Sequence, residues 1–424
     1  MSTERREILV YAHWVGFETP RLMGVLYASL IKGKELFSFE YDTDWLKLPE
    51  ARAIDPDLQL YSGPQYLNDD KSNFGIFLDS SPDRWGRLLM RRKEAAIARK
   101  EERRARTLFE SDYVLGVFDK NRMGALRFKT DSNGDFLDNN TQMAAPPWTS
   151  LRDLEYASLQ LERDDAPDDP EYLDWLNMLM APGSSLGGAR PKANVQDVDG
   201  SLWIAKFPSG NDDKDIGAWE QLVYEMAIQC GIDMAESRIQ KFSHHQHTFI
   251  TKRFDRQTNG ERIHFASAMT LLGYTDGVDH QDGVSYLELV EFLMQNGANI
   301  DEDLKQLWTR IVFNICVSNT DDHLRNHGFI LTDTGWILSP AYDINPIEGG
   351  NGLKLNIDSE DNAQNLDLAL SVAPYFRLET EEAQFIMDRI IEVISTWETI
   401  AKKLGISRAE MERMGGCFVS QSYT

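Results

Sequence analysis

The chain has 424 residues, which exceeds the size at which one hydrophobic core usually keeps growing, so two lobes or domains are expected. Its 44 basic and 68 acidic residues give a net charge of −24 at pH 7, a field that repels nucleic acid and anionic membranes and argues against either as the main ligand. No apolar stretch approaches the roughly 18–20 residues of a membrane helix, the N-terminus lacks the apolar run of a signal peptide, and the three scattered cysteines cannot form a disulfide framework, so we expect a cytoplasmic protein without membrane contact.

The first part of the chain has the pattern of short strands followed by a helix. Aromatic and β-branched runs between glycine and charged turns predict strands over residues 8–14, 22–27, 36–41 and 124–128. Residues 82–104 are rich in helix formers, and the stretch 84–106 carries ten Lys or Arg against three Glu. Such a stretch is either a solvated helix face or a docking face for an acidic partner, or for DNA held by a complex. The polar, proline-ended stretch 131–147 predicts a linker and places a first domain at 1–147.

The remaining elements predict a β-rich lobe over 148–265 and a helical lobe over 266–424, hence an α+β fold. The β-rich lobe is predicted to contain helices over 151–163, 171–180 and 215–230 and strands over 192–198, 202–207, 237–242 and 248–252. The helical lobe is predicted to contain helices over 286–294, 304–318 and 381–404, with a hairpin of strands 329–331 and 336–338.

Two features of the β-rich lobe suggest phosphate binding. The loop 183–192, GSSLGGARPK, combines glycines with serines and allows backbone N–H groups to approach a phosphate, although a simple glycine turn has the same pattern. Lys206 ends an otherwise apolar strand, where kinases place a lysine on the ATP phosphates and pair it with a helix carboxylate. Glu220 is the first candidate for that carboxylate and Glu225 the alternative; a lysine on an exposed strand face remains open.

A dense polar loop follows the predicted helix 304–318. In NTDDHLRNHGF, an acid that accepts a hydroxyl proton (Asp321) and an amide five residues later that reaches a metal (Asn326) have the order of a kinase catalytic loop. A zinc site from Asp321, His323 and His327 is the competing interpretation. The neighbouring pattern HHQH over 244–247 could also bind metal, but its place between two strands favours a hairpin turn.

Asp343 follows the loop and the predicted hairpin, in the segment SPAYDINP. Kinases supply the base, an Asn ligand and a second Mg²⁺ ligand in this order along the chain. Asn326 and Asp343 would provide one neutral and one charged oxygen, which suits Mg²⁺. Without the preceding loop, Asp343 would be interpreted as a turn residue.

With these pieces in order, the sequence resembles the HipA family of bacterial Ser/Thr kinases, the toxin components of HipA–HipB-type toxin–antitoxin pairs. The resemblance covers nearly the whole chain and rests on SSLGGARPKA, IAKFP, ITKRFDR, NTDDHLRNHGF and LSPAYDI, with FGIFLDSSPDRWGRLLM in the N-terminal part. It implies a two-lobed protein-kinase-like fold with a β-rich N-terminal lobe, an extra N-terminal subdomain and a mainly helical C-terminal lobe. The segment 148–265 would be the nucleotide-binding lobe.

The resemblance also implies the role of each site residue. Asp321 would be the base, His323 would lie near the transferring phosphate, and Asn326 and Asp343 would hold Mg²⁺. The residues implied to bind ATP are Ser185, Gly187, Gly188, Ala189, Lys192, Lys206, Glu220, Lys252, Phe254 and Asp255, of which Lys252 to Phe254 would act through the hinge backbone and Asp255 near the ribose. Ser185, or the adjacent Ser184, would be the site of autophosphorylation that switches the kinase off.

The function implied by the resemblance is an ATP- and Mg²⁺-dependent protein serine/threonine kinase that acts as a toxin. Its partners would be a protein substrate, for which the family includes aminoacyl-tRNA synthetases, and a small helix-turn-helix antitoxin through which alone it would meet DNA. Two alternatives stay open: a catalytically silent regulator that keeps the kinase fold and binds nucleotide, an antitoxin or a transcription factor, and a metal-dependent hydrolase that uses the Asp/His loop.

Overall fold

A computed structural model describes residues 5–67, 71–180, 188, 190–242 and 245–419 of the chain. Its strands are β1 (Arg5–Ala12), β2 (Arg21–Ile31), β3 (Lys34–Tyr41), β4 (Pro64–Tyr66), β5 (Leu126–Lys129), β6 (Lys192–Gln196), β7 (Leu202–Lys206), β8 (Ser237–Gln240), β9 (Thr248–Lys252), β10 (Phe265–Ser267), β11 (Gly328–Leu331) and β12 (Trp336–Leu338). Its helices are α1 (Gly75–Asp79), α2 (Arg84–Lys100), α3 (Glu110–Leu115), α4 (Leu151–Leu161), α5 (Tyr172–Met180), α6 (Ile216–Gln229), α7 (Ala268–Leu271), α8 (Tyr286–Asn296), α9 (Ile300–Cys316), α10 (Leu366–Val372), α11 (Thr380–Ile394), α12 (Trp397–Lys403) and α13 (Arg408–Met414).

The chain divides into two compact units. The first contains residues 1–210 and 252–275, and the second contains residues 211–251 and 276–424. These units are not the three predicted domains, whose boundaries at residues 147 and 265 stay a prediction. The mixture of sheets and helices confirms the predicted α+β class. No helix in the described part of the chain has the length and hydropathy needed to span a bilayer.

The N-terminal part of the first unit is an antiparallel sheet with the strand order β4-β3-β2-β1-β5. Along β1, the side chains of Ile8, Val10 and Ala12 are buried and their neighbours are more exposed, which is the period-two pattern of a sheet with one covered face. The β2–β3 hairpin turns on Lys32 and Gly33, with φ angles of 51° and 83°. Positive φ at both central residues matches the twist of the flanking strands, and the predicted strands of this region are confirmed.

Helix α2 contains most of the basic stretch. It begins after Asp83, whose carboxylate accepts a hydrogen bond from Gly86 N at 2.8 Å and so caps the helix. Several of its arginines make contacts inside the first unit: Arg87 binds Glu110 through two bonds of 2.5 and 2.8 Å, and Arg92 donates to Leu161 O at 2.8 Å. These contacts engage part of the basic stretch in folding, which limits the surface left for an acidic partner.

The rest of the first unit includes the antiparallel hairpin β6–β7, in which Lys192 lies opposite Lys206. The turn between the strands has Gly200 at φ 87°, a left-handed conformation that favours glycine. Both strands were predicted and are confirmed with slightly shorter ends.

The second unit is built around α9. Its side chains from Leu307 to Cys316 are all buried, so the helix is enclosed on every side rather than amphipathic, as its apolar C-terminal half predicts. The hairpins β8–β9 and β11–β12 are antiparallel, and Phe329 pairs with Leu338 in the second of them.

The prediction of one long helix over 381–404 is wrong in one respect: the segment forms two helices, α11 and α12, with a break between them. Ser395 Oγ donates to Glu392 O at 2.6 Å and Thr396 Oγ1 donates to Val393 O at 2.7 Å. Hydroxyl groups that bond to the backbone of the preceding turn compete with helix hydrogen bonds, and these two residues lie where the helix is interrupted.

Candidate active site

The polar loop leaves the buried end of α9 through a left-handed residue. Ser318 has φ 52°, and Asn319 N then donates to Asn314 O at 2.9 Å, which turns the chain out of the helix. The loop ends at β11, so its residues are held between a buried helix and a strand. Its position confirms the predicted order of a core helix, a polar loop and a hairpin.

Asp322 is the anchor of this loop. Its side chain is buried, and its Oδ2 accepts hydrogen bonds from Tyr286 Oη at 2.7 Å, Asn314 Nδ2 at 2.7 Å and His327 Nε2 at 2.9 Å. Burial alone would raise the pKa of Asp322. The charge of His327 and the hydrogen bonds from His327 and Tyr286 outweigh this effect and hold the pKa of Asp322 below its usual value. A buried carboxylate with three donors fixes the loop to α8 and α9.

Asp321 points the other way. Its side chain is exposed, although the next residue is fully enclosed. Asn326 Nδ2 donates to the backbone oxygen of Asp321 at 3.1 Å, and none of the described residues donates to Asn326 Oδ1. His323 Nδ1 is buried and has no hydrogen-bond partner within the described ranges. One short turn therefore carries an exposed carboxylate, an amide oxygen and a buried imidazole nitrogen.

Asp343 has a strained backbone beside this loop. Its φ of 59° is left-handed, a conformation that costs a non-glycine residue about 1–3 kcal/mol and is found at functional sites. Tyr342 Oη donates to Arg325 O at 2.8 Å, so the residue before Asp343 lies beside the residue before Asn326. Asn345 Nδ2 donates to Asp343 Oδ1 at 3.3 Å, and Asn345 N approaches Asn319 Oδ1 at 3.4 Å. The structure thus brings the two predicted metal ligands to neighbouring loops of one unit.

The donor set at these loops fits Mg²⁺ better than zinc. Asn326 and Asp343 offer an amide and a carboxylate oxygen, the ligand types that Mg²⁺ prefers. In the part of the chain that the structure describes, no group of three or more His, Cys, Asp or Glu side chains is placed to hold a metal. His327, a ligand in the zinc interpretation, instead has its Nε2 bonded to Asp322. His244 of the second candidate zinc pattern lies outside the described residues, and His247 Nδ1 is 2.6 Å from Asp215 Oδ2.

The glycine-rich loop is described only in part. Ser184, Ser185, Gly187 and Ala189 lie outside the described residues, so the phosphate-binding and autophosphorylation predictions for them stay predictions. Lys192 is 3% exposed, and its Nζ donates to Asp83 Oδ2 at 2.8 Å and to Gly188 O at 2.9 Å. This lysine therefore joins the start of α2 to the glycine-rich loop, and its ammonium already has an anionic partner where the sequence analysis expected nucleotide.

Lys206 and its predicted carboxylate partner lie in different units. Lys206 ends β7 in the first unit, whereas Glu220 is 4% exposed on α6 in the second. The alternative, Glu225, accepts from Lys403 Nζ at 3.2 Å and from Gln221 Nε2 at 3.3 Å within the second unit. The pairing of Lys206 with Glu220, or with the alternative Glu225, stays a prediction.

Beside the predicted hinge, Asp255 has a different role from the expected ribose contact. Lys252 lies with its ammonium 5.6 Å from the centre of the Trp203 ring, and the Phe254 ring lies 5.8 Å from that of Phe265. Asp255 has no exposed surface, and its carboxylate binds Arg253, Arg256 and the backbone N of Gly124. Burial would raise the pKa of Asp255, but the two guanidinium groups lower it to about 2. This enclosure disagrees with the predicted ribose contact and makes Asp255 a structural anion.

The residues that hold the loops of Asp321 and Asp343 in place were not predicted from the sequence. Asp322, Tyr286 and Asn314 form the buried network, and Asn345 binds the Asp343 carboxylate. The sequence signals them only through the pair of adjacent aspartates, of which one can be anchored by burial while the other stays exposed. Tyr286 and Asn314 come from helices whose packing the sequence does not specify.

Comparison with known proteins identifies the relatives of this chain. The family model of the HipA-like C-terminal domain matches residues 184–413. A protein named "Putative kinase" from Haemophilus influenzae is 25% identical over 179 residues, which are 38% of this chain and 52% of that protein. A second, "Putative kinase Y4mE" from Sinorhizobium fredii, is 25% identical over 182 residues, or 38% of this chain and 41% of that protein. The chain thus matches about half, or less, of the length of these relatives.

A solved structure extends the likeness to nearly the whole fold. The HipA chain in a complex of HipA, HipB and operator DNA from Shewanella oneidensis has a TM-score of 0.63 and 17% identity, with 97% of this chain and 94% of that chain covered. At this identity the match establishes the fold, which is the predicted two-lobed, kinase-like one. Since the family model spans more than half of the residues, the chain belongs to the HipA-like family.

Proposed function

We propose that the protein is an ATP- and Mg²⁺-dependent protein serine/threonine kinase of the HipA type. The observation that carries this proposal is the difference between two adjacent aspartates of one loop: Asp322 is buried and bound by three hydrogen-bond donors, while Asp321 is exposed. A loop that is anchored by one acid and presents the next is suited to hold a general base or a hydroxyl-orienting group in place. A silent regulator would have no need of this arrangement.

We assign the binding of the substrate hydroxyl and the metal to the residues of these two loops. Asp321 accepts a hydrogen bond from the substrate hydroxyl and aligns its oxygen with the phosphoryl group. Asn326, whose Nδ2 donates to the backbone oxygen of Asp321, and Asp343 would hold Mg²⁺ through their side-chain oxygens. The metal would supply neutralisation of phosphate charge there. Phosphoryl transfer depends on such positioning and charge neutralisation more than on covalent chemistry by the protein.

The nucleotide side is proposed from the first unit. Lys206 binds the ATP phosphates and is steadied by Glu220, and the backbone from Lys252 to Phe254 binds adenine. Lys192 donates a hydrogen bond to Gly188 O and so holds the glycine-rich loop, rather than binding nucleotide itself. Ser185 or Ser184 is the proposed site of autophosphorylation.

The partners are proposed from the solved relative, which is bound to HipB and operator DNA. We expect a small helix-turn-helix antitoxin here too, with DNA contact mainly through that partner because this chain carries a net charge of −24. The substrate is a protein hydroxyl, an aminoacyl-tRNA synthetase being one candidate, and the protein acts as a toxin.

Labelled ATP separates this proposal from the silent regulator. Purified protein is incubated with γ-labelled ATP and Mg²⁺ but no substrate, and labelled peptides are mapped by mass spectrometry. The proposal expects label on Ser185 or Ser184, and loss of that label in the Ser184→Ala/Ser185→Ala double variant. Tight ATP binding without label, and without transfer to any added protein extract, would establish the regulator instead.

A further inference from the structure

A cleft in the first unit is lined mainly by basic side chains, although the chain as a whole is acidic. It has a volume of about 620 Å³ and lies wholly within residues 13–18, 119–127, 196–202 and 252–262. Six basic side chains line it: Lys120, Arg127, Lys252, Arg253, Arg256 and Arg262. Only three carboxylates, those of Glu18, Asp119 and Glu261, accompany them. In a chain with a net charge of −24, this is a local excess of positive charge.

The basic wall of the cleft is itself short of anions. Arg253 and Arg256 both bind Asp255 Oδ2 at 2.6 Å. Arg127 binds Asp119 Oδ2 at 2.6 Å, and Arg262 reaches the same oxygen at 3.3 Å. Four guanidinium groups therefore share two carboxylates.

A fifth guanidinium behind this wall increases the excess. Arg122 is fully buried and donates to the backbone oxygens of Ser80, Val117 and Leu137. Burial lowers the pKa of Arg262 to about 10, with Asp119 opposing the shift and Arg127 adding to it. Arginine nevertheless keeps its proton at neutral pH, so the excess charge persists.

Backbone oxygens of residues 119–122 accept further hydrogen bonds from Arg253, Arg256 and Arg262, which satisfies their N–H groups but adds no negative charge. Buried charges that outnumber their partners cost stability, and such a cluster beside a cleft is a candidate binding site. The rim of the cleft adds groups that a ligand could use. Lys120 is exposed, and its ammonium has no hydrogen bond or ion pair within the described ranges, while Gln257 and Asn259 offer amides.

We propose that this cleft binds a small phosphate-rich anion, at a site separate from the proposed ATP site. The volume suits a ligand of nucleotide size, and Trp14 and Phe17 give the cleft an apolar side. A long nucleic acid is disfavoured because the field of the whole chain repels it. Lys252 and Arg253 also belong to the proposed hinge, so the test has to separate the two sites.

Inorganic pyrophosphate is the probe, titrated by calorimetry at low ionic strength with a chelator present, so that no divalent cation supports binding at the ATP site. Lys120→Glu and Thr258→Glu alter exposed positions at the cleft and leave its buried network intact. Lys100→Glu is the matched control, because it makes the same charge reversal at an exposed site in the same unit that is not among the lining residues. Lys206→Met reports on the proposed ATP site.

The proposal expects wild type, Lys100→Glu and Lys206→Met to bind pyrophosphate equally. Lys120→Glu, which changes the local charge by two units, should bind about tenfold more weakly, and Thr258→Glu, which changes it by one unit, about threefold more weakly. Three results would overturn it: no binding to the wild type, an affinity that falls in Lys206→Met but not in Lys120→Glu, or equal binding of sulfate at matched ionic strength. Each of these leaves the proposed kinase activity untouched, since that activity is measured without pyrophosphate.

Discussion

Asp321 and Asp322 are adjacent, yet replacing Asp322 should cost much more stability than replacing Asp321. Asp322→Ala removes the acceptor of three buried hydrogen bonds and leaves the donors of Tyr286, Asn314 and His327 unsatisfied. Breaking a buried charged network of this kind costs about 3–5 kcal/mol, and we expect about 4 kcal/mol here. Asp322→Asn keeps an oxygen for the donors but loses the charge, so its expected cost is about 2 kcal/mol. Asp321→Asn, at an exposed side chain, should change the free energy of unfolding by less than about 0.5 kcal/mol.

The measurement is urea denaturation followed by tryptophan fluorescence and circular dichroism, with Tyr286→Phe as a partial deletion that should cost about 1 kcal/mol. The pH dependence gives a second reading. Because the pKa of Asp322 is lowered in the folded protein, its stabilisation is complete above the unfolded pKa near 4 and is lost as the pH falls further. The wild type and Asp322→Asn should therefore converge in stability on acidification. A cost below 1 kcal/mol for Asp322→Ala, or an equal loss in Asp321→Asn, would refute the division of roles.

Three further predictions concern other residues. Lys192→Met should destabilise the fold by about 3–5 kcal/mol by removing the ammonium that forms an ion pair with the buried Asp83 carboxylate, and the double variant with Asp83→Asn should recover part of that loss in the same denaturation assay. Asp255→Asn should cost about 3–5 kcal/mol at pH 7; since the folded pKa of Asp255 is about 2, the deficit should shrink as the pH is lowered from about 4 towards 2, and a constant deficit would contradict this. Asp343→Gly should keep the free energy of unfolding within about 1 kcal/mol, because relief of left-handed strain offsets the entropy of glycine, yet phosphoryl transfer should disappear; retained transfer would show that the carboxylate is not a metal ligand.

Much of the fold was predictable because local patterns and tertiary packing agree. The alternation in β1 and the continuous apolar half of α9 each have one structural solution. The helix predicted over 381–404 failed because apolar spacing continues through Ser395 and Thr396, whose hydroxyl bonds to the backbone end the helix locally. Periodicity carries no information about such bonds.

The sequence predicts the order of the site residues along the chain, but not which residues hold them in place. Asp321, Asn326 and Asp343 are recognised from their spacing, since a kinase loop and hairpin have that order along the chain. The sequence does not reveal that Asp322 is the buried partner, because Tyr286 and Asn314 reach it only through packing of α8 and α9. Asp255 and Lys192 were expected at the nucleotide. Instead, Asp255 is enclosed by its near neighbours Arg253 and Arg256 with the backbone of Gly124, and Lys192 pairs with the distant Asp83.

The central claim is that Asp321 serves phosphoryl transfer, and Asp321→Asn tests it most directly. ATP binding is measured by calorimetry, and transfer from γ-labelled ATP is measured on the same preparation, with Asp367→Asn as a control at an exposed acid on α10. We predict that Asp321→Asn binds ATP as the wild type does and loses transfer by at least about a hundredfold, the scale of removing a preorganised electrostatic group, while Asp367→Asn keeps both. Transfer by Asp321→Asn at the wild-type rate would contradict the account.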